Sequence, residues 1–202
     1  MRKLDRLLQY ISTHQNHGVR FHASAMQLQV QSDASYLSRP KARSVLGGLH
    51  YLGTEDTING PFFCTSKIIS CVVTSAAEAE LGAAFQNAQK AAQFRNVLVE
   101  LGYPQVPTPI LVDNTVAEGL ANDTINARRS KSMDVRFFWL RDRVQKAQFL
   151  IKHLAGRWNI SDFFTKSLSK EKFEQFVPYI VVTLDDQSPK PVRKTVVMEK
   201  KA

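Results

Sequence analysis

Four carboxylates in this sequence stand where the chain is about to change direction. Asp33 follows an alternating apolar run, and Asp113 follows a short continuous one. Glu80 lies in the first turns of a long helical pattern, and Asp162 opens the last apolar stretch. Carboxylates brought together repel unless cations neutralise them. Hard oxygen donors suit Mg²⁺ or Mn²⁺. Two such ions ~4 Å apart clamp the attacking and leaving oxygens of a phosphodiester displacement. Each acid also has a structural use: Asp33 in a turn, Asp113 with Asn114 as a turn starter, Asp162 as a helix cap. The order of the elements that carry them favours a shared site.

Residues 26–32 alternate Met26, Leu28 and Val30 with Gln27, Gln29 and Gln31, the signature of a half-buried strand that delivers Asp33 to a rim. A second strand spans 44–52, where Gly47 and Gly48 mark a bulge or a close backbone approach. Residues 38–43 between them read as a basic loop with Arg39, Lys41 and Arg43. Residues 54–61 form a turn in which Asn59-Gly60 is a hairpin signal, and 62–73 form a third strand. Ser75 and Glu78 make a capping box for a helix over 76–101, ended by Gly102 and Pro104. Ala84, Ala88, Ala91 and Ala92 give that helix a close-packing face. Glu80 shares this face and points at the sheet, whereas Glu78 is occupied at the cap.

Residues 108–113 read as a buried parallel strand and 114–121 as a short helix. A polar loop, 123–131, ends in Arg128, Arg129 and Lys131. A helix over 132–146, a strand over 148–153, a turn over 156–159 and a terminal helix over 161–168 complete the pattern. The order β-β-β-α-β-α-α-β-α describes a mixed α/β fold. Its five-stranded sheet has three antiparallel strands, then two parallel ones, flanked by helices. Residues 1–24 form an upstream segment with an amphipathic helix (Leu4, Leu7, Leu8, Ile11) expected to pack at the edge of the main domain, 25–169. Residues 170–184 form a helical extension and 185–202 a charged, disordered tail.

The formal net charge is +9, which favours a polyanionic partner, most often nucleic acid. Cys64 and Cys71 show no zinc spacing and read as buried strand thiols in a reducing compartment. The N-terminus is too charged for a signal peptide, and no apolar run approaches the ~18 residues of a membrane span. The expected setting is intracellular, cytoplasmic or nuclear. Trp139 and Trp158 read as packing residues.

Together these residues resemble the ribonuclease H domain of copia-type retrotransposon polyproteins. Ser32-Asp33-Ala34 is similar to the family's S-D-A, and residues 75–81, SAAEAEL, to its S-x-x-E-A-E-Y, with Leu81 in place of tyrosine. Val112-Asp113-Asn114 matches the D-N pair. Residues 152–167, KHLAGRWNISDFFTKS, match the closing pattern, with Ser161 in place of alanine. Residues 129–136, RSKSMDVR, look like R-T-K-H-I-D-I-R, with Ser132 in place of histidine.

The resemblance implies Asp33, Glu80, Asp113 and Asp162 as catalytic acids that hold two Mg²⁺ or Mn²⁺ ions, Asp33 bridging both. It implies endonucleolytic hydrolysis of the RNA strand of an RNA–DNA hybrid, leaving a 5′ phosphate and a 3′ hydroxyl. Ser35, Asn114, Arg128, Arg129 and Lys131 are the expected substrate contacts, and a separately supplied reverse transcriptase domain is an expected partner. No small-molecule cofactor and no membrane are expected. His153 is the histidine nearest the last aspartate; its position before a turn favours a strand-end role. The alternative function is a catalytically silent nucleic-acid-binding module of the same fold. An integrase-type core is disfavoured because its last glutamate sits on a late helix.

Overall fold

A computed structural model describes residues 2–54, 57–70, 72–122 and 134–184. In chain order the elements are α1 (Arg2–Thr13), β1 (His17–Gly18), β2 (Leu28–Arg39), β3 (Arg43–Leu52), β4 (Pro61–Ile68), α2 (Ala76–Glu100) and β5 (Thr108–Val112). There follow α3 (Thr115–Ala121), α4 (Asp134–Gln145), β6 (Phe149–His153), two 3₁₀ turns (Gly156–Trp158 and Ile160–Phe164), α5 (Lys170–Ile180) and β7 (Val182–Thr183). The main sheet runs β4-β3-β2-β5-β6. Strands β2, β3 and β4 are antiparallel, whereas β2–β5 and β5–β6 are parallel. This is the expected mixed sheet. A small antiparallel pair, β1 with β7, ties the two ends of the described chain together and was not anticipated.

Apolar clusters cover both faces of the sheet. On one face Leu28, Val30, Ile110, Val112 and Ile151 pack against Leu81, Ala84, Ala88 and Ala91 of α2 and Phe137 and Leu140 of α4. The alanines let α2 sit close to the strands, as their spacing predicts. On the other face Leu49, Tyr51 and Ile58 pack against Ile160, Phe176 and Tyr179. That second layer changes the reading of β2. The inner part of the glutamine row is not solvated: Gln29 and Gln31 are buried, and the Gln31 side-chain oxygen accepts from the Ile160 amide at 2.9 Å. Strand alternation distinguishes two faces but not whether the polar face meets water.

Helix α2 begins as its capping box requires. The Ser75 hydroxyl accepts from the Glu78 amide at 3.1 Å. Glu78 reaches back to the amide and hydroxyl of Thr74, at 2.7 and 2.8 Å. Gly102 (φ +87°) ends the helix in the left-handed region. Arg95 then donates to the Thr108 hydroxyl at 2.6 Å and the Gln105 carbonyl at 3.1 Å, pinning the approach to β5.

Gly48 marks the close approach expected of the Gly47-Gly48 pair. A Cβ there would lie 2.0 Å from the Asn87 side-chain oxygen. Asn87 cannot retreat, because its amide donates to the Ser32 hydroxyl and the Gly47 carbonyl, both at 2.9 Å. Gly48→Ala is expected to cost about 3 kcal/mol by displacing this buried network. Urea unfolding would show it as a lowered midpoint at unchanged slope.

Several local expectations are corrected. The first strand does not stop at Asp33 but continues to Arg39, with an irregularity between Ser35 and Arg39, so the basic loop narrows to a turn. Strand β4 ends at Ile68, not at 73. Asn59 is a buried clasp, not a hairpin tip. Its side chain bonds the His22 amide and carbonyl and the Leu52 carbonyl. The terminal helix is a short 3₁₀ turn, Ile160–Phe164. Cys64 is exposed, and Cys71 lies outside the described residues. The α1 stripe does not pack: Leu4, Leu7, Leu8 and Ile11 are each more than half exposed. No helix among the described residues is long and apolar enough to cross a membrane. The charged tail, 185–202, lies outside the described residues.

Candidate active site

Strand β2 places Asp33 directly beside Gly47 of β3, under the C-terminal segment, with no solvent exposure. Strand β5 ends one residue before Asp113 and runs parallel to β2, so Asp113 emerges next to Asp33. Helix α2 supplies Glu80 from its second turn, and the Ala34 amide donates to Glu80 Oε1 at 2.9 Å. One carboxylate oxygen from each of Asp33, Glu80 and Asp113 lies within 4.8 Å of the others. Three acids far apart in sequence thus share one small volume.

Their surroundings resist three negative charges. Burial, then the charges of Asp162 and Asp113, push the Asp33 carboxyl up to about 7. Burial, then Asp33 and Asp113, push Glu80 up to about 9. Burial is the main cause that raises Asp113. Asp33 Oδ1 and Glu80 Oε2 are buried without hydrogen-bond partners. Buried acceptors without donors, on carboxylates that lie close together, are what a hard cation would satisfy. The donor set therefore fits Mg²⁺ or Mn²⁺.

Asp162 lies at the edge of this group. The 3₁₀ turn holds it buried, and Asn159 anchors that turn by donating to the Ser32 carbonyl at 3.1 Å. Two ammonium groups meet its carboxylate: Lys166 Nζ lies 2.7 Å from Oδ1, and Lys172 Nζ pairs with Oδ2. Lys166 also lies 3.8 Å from Asp33 Oδ2, which the Thr165 hydroxyl bonds as well. Burial alone would lower Lys166, but its close pairing with Asp162 and the charges of Asp33, Asp162 and Asp113 raise it.

The expected substrate contacts fare differently. The Ser35 hydroxyl is turned inward, donating to the Thr165 carbonyl at 3.0 Å and lying 2.5 Å from the Ser38 hydroxyl. Asn114 caps α3, its side-chain oxygen accepting from the Val116 and Ala117 amides at 2.9 and 3.1 Å. Arg128, Arg129 and Lys131 lie outside the described residues. His153 is exposed at the end of β6, and its amide donates to Glu118. Trp139 packs on the core. Thr165 and Lys166 lie within the closing motif without a role assigned from sequence, and Lys172 lies outside every motif. Lys166 follows Asp162 by four residues, a spacing that brings the two together once the turn is helical. Lys172 has no such signal.

No family model matches the chain. Among solved structures, LC11 ribonuclease H1 in complex with an RNA/DNA hybrid superposes with a TM-score of 0.53 at 12% identity, covering 68% of this chain and 93% of that one. The N-terminal ribonuclease H domain of a Mycobacterium tuberculosis protein gives a TM-score of 0.50 at 10% identity, over 75% of this chain and 96% of that one. This chain has the ribonuclease H fold. Its homologues are retrovirus-related Pol polyproteins of transposons. That of transposon RE1 of Arabidopsis thaliana is 27% identical over 186 residues, 91% of this chain. That of transposon TNT 1-94 of Nicotiana tabacum is 30% identical over 109 residues, 54% of this chain. The match takes up 12% of the first polyprotein's length and 8% of the second's. The ribonuclease H fold here carries Asp33 on the first strand of the main sheet, Asp113 just past the end of the fourth and Glu80 on the helix between them.

Proposed function

We propose that this chain is a divalent-metal-dependent endonuclease that hydrolyses the RNA strand of RNA–DNA hybrids. The observation that carries the reading is the meeting of Asp33, Glu80 and Asp113 within 4.8 Å inside a ribonuclease H fold. The transposon homologues and the hybrid bound to LC11 ribonuclease H1 support it. Mg²⁺ or Mn²⁺, when bound, supplies charge stabilisation to the attacking and leaving oxygens of phosphodiester hydrolysis.

The chain's own residues supply the rest. Asp33, Glu80 and Asp113 would hold one ion, and Asp33 with Asp162 would hold a second. Thr165 and Lys166 orient Asp33. The sheet and α2 fix Asp33, Glu80 and Asp113, and the Asn159-anchored 3₁₀ turn fixes Asp162, so the carboxylates are held in place before the reaction. A net charge of +9 draws the phosphate backbone towards an otherwise acidic pocket. Arg128, Arg129 and Lys131 are the residues proposed to hold it, with Ser35 and Asn114 shaping the floor beside the acids.

The test is cleavage of a labelled RNA–DNA hybrid with Mg²⁺ or Mn²⁺, beside duplex DNA, duplex RNA and the Asp113→Asn variant. Cutting confined to the hybrid's RNA strand, and lost in the variant, is the expected result. A folded protein that cuts nothing with either metal would overturn the reading in favour of a silent nucleic-acid-binding module.

A further inference from the structure

The acidic site is divided by its partners. On one side, Asp33 Oδ1 and Glu80 Oε2 have no donor. On the other, both oxygens of Asp162 lie beside ammonium groups: Lys172 bonds Oδ2, and Lys166 forms an ion pair with Oδ1, which has no hydrogen bond. The two lysines differ in origin. Lys166 follows Asp162 by four residues on the same local segment. Lys172 comes from α5, ten residues on, which the sheet holds through Phe176 on its opposite face.

Lys172 touches more than Asp162. Its ammonium lies 3.3 Å from the Gly156 carbonyl and 5.3 Å from the centre of the Phe176 ring. Gly156 in turn backs Asp113: a Cβ there would lie 3.2 Å from Asp113 Oδ2. The Lys172 side chain thus spans from the turn behind Asp113 to the carboxylate of Asp162. It is 31% exposed, so it reaches the site from the solvent side and has room to swing away.

We propose that Lys172 is a positioning residue that acts as a resident cation of the site, holding Asp162 and competing with the second divalent ion for its Oδ2. This rests on the nuclease reading, in which Asp162 serves that ion. The first ion then binds at Asp33, Glu80 and Asp113, beyond the contacts of Lys172, and the second binds only when the Lys172 ammonium is displaced. A displaced Lys172 keeps the Gly156 carbonyl and the Phe176 ring as partners, so its release costs less than full desolvation of a buried pair. Helix α5, outside the catalytic sheet, thereby sets the metal requirement of the enzyme.

Mn²⁺ binding to the full chain without nucleic acid, followed by calorimetry and by the paramagnetic signal of free Mn²⁺, tests this. Wild type is expected to bind one ion tightly and a second at least about tenfold more weakly. Lys172→Met keeps the aliphatic stem over Phe176 and removes the charge; it should tighten the second ion about tenfold or more. Lys172→Arg should retain the wild-type isotherm, and Lys172→Gln should follow Met if Met fails to fold. Adding Asp162→Asn to Lys172→Met should abolish the gained affinity, which places that ion at Asp162. A first ion that binds normally, with identical second-ion affinity in wild type and the folded Met or Gln variant, would overturn the Lys172 proposal alone. Absence of Mn²⁺ binding in every variant would overturn the nuclease reading, and this proposal with it.

Discussion

Asp33→Asn is expected to lower hybrid cleavage by ~10³-fold or more while raising the stability of the metal-free protein. The loss corresponds to ~4 kcal/mol of barrier, in line with removing a fixed charge from the centre of an electrostatic site. Asp33 is the acid that the other three surround: Glu80 and Asp113 lie beside it, and Lys166 links it to Asp162. The gain in stability follows from the same geometry. A fully buried carboxyl pushed up to about 7 pays for ionisation at pH 8, and an amide of the same shape does not. The amide oxygen still accepts from Thr165. Single-turnover cleavage and a thermal melt in chelator check both signs on one sample. A variant that keeps a tenth of wild-type activity would remove Asp33 from the chemistry. A variant that melts lower than wild type would show that the pocket is not frustrated by its own charge.

The second large effect is on stability against pH, and divalent metal should reverse it. Asp33 and Glu80 hold protons in the folded protein up to about 7 and about 9, against 3.8 and 4.5 as unperturbed groups. Between these limits the folded state binds more protons than the unfolded state. Metal-free stability therefore falls as pH rises through this range. His50 acts oppositely and lower down. Burial pushes it to about 4, so below its ordinary 6.5 it favours the unfolded chain. From pH 6.5 to 9 the two acids act without that opposition. The melting temperature in chelator is expected to drop by ~5 °C or more across that window. Saturating Mg²⁺, at about 100 times its dissociation constant, adds ~2.7 kcal/mol. That should raise the melt by ~5–10 °C at pH 9 and far less at pH 5, where Asp33 and Glu80 are protonated. Glu80→Gln should flatten the metal-free slope. A melt independent of both pH and Mg²⁺ over this window would contradict the carboxylate cluster as a cation site.

Much of this architecture is written locally. The alternation of Met26, Leu28 and Val30, the Ser75–Glu78 cap, the alanine face of α2 and the apolar run before Asp113 each depend on near neighbours, so the sequence determined them. The same local logic separated Glu80, aimed at the sheet, from Glu78, held at Thr74. Tertiary structure decided what depends on partners far along the chain. Gln31 is buried because Ile160 covers it, 129 residues later, and polar alternation cannot announce that cover. Asn59 is a clasp and not a turn because His22 lies within reach. Asp33 sits inside a strand, not at its end, because β3 continues to pair with it beyond that point. Lys172 meets Asp162 only because Phe176 seats α5 on the far face of the sheet, a contact without periodicity or motif. Periodic packing is a property of neighbours and is read from spacing. Charge pairing between separate elements is a property of the closed fold and is read only there.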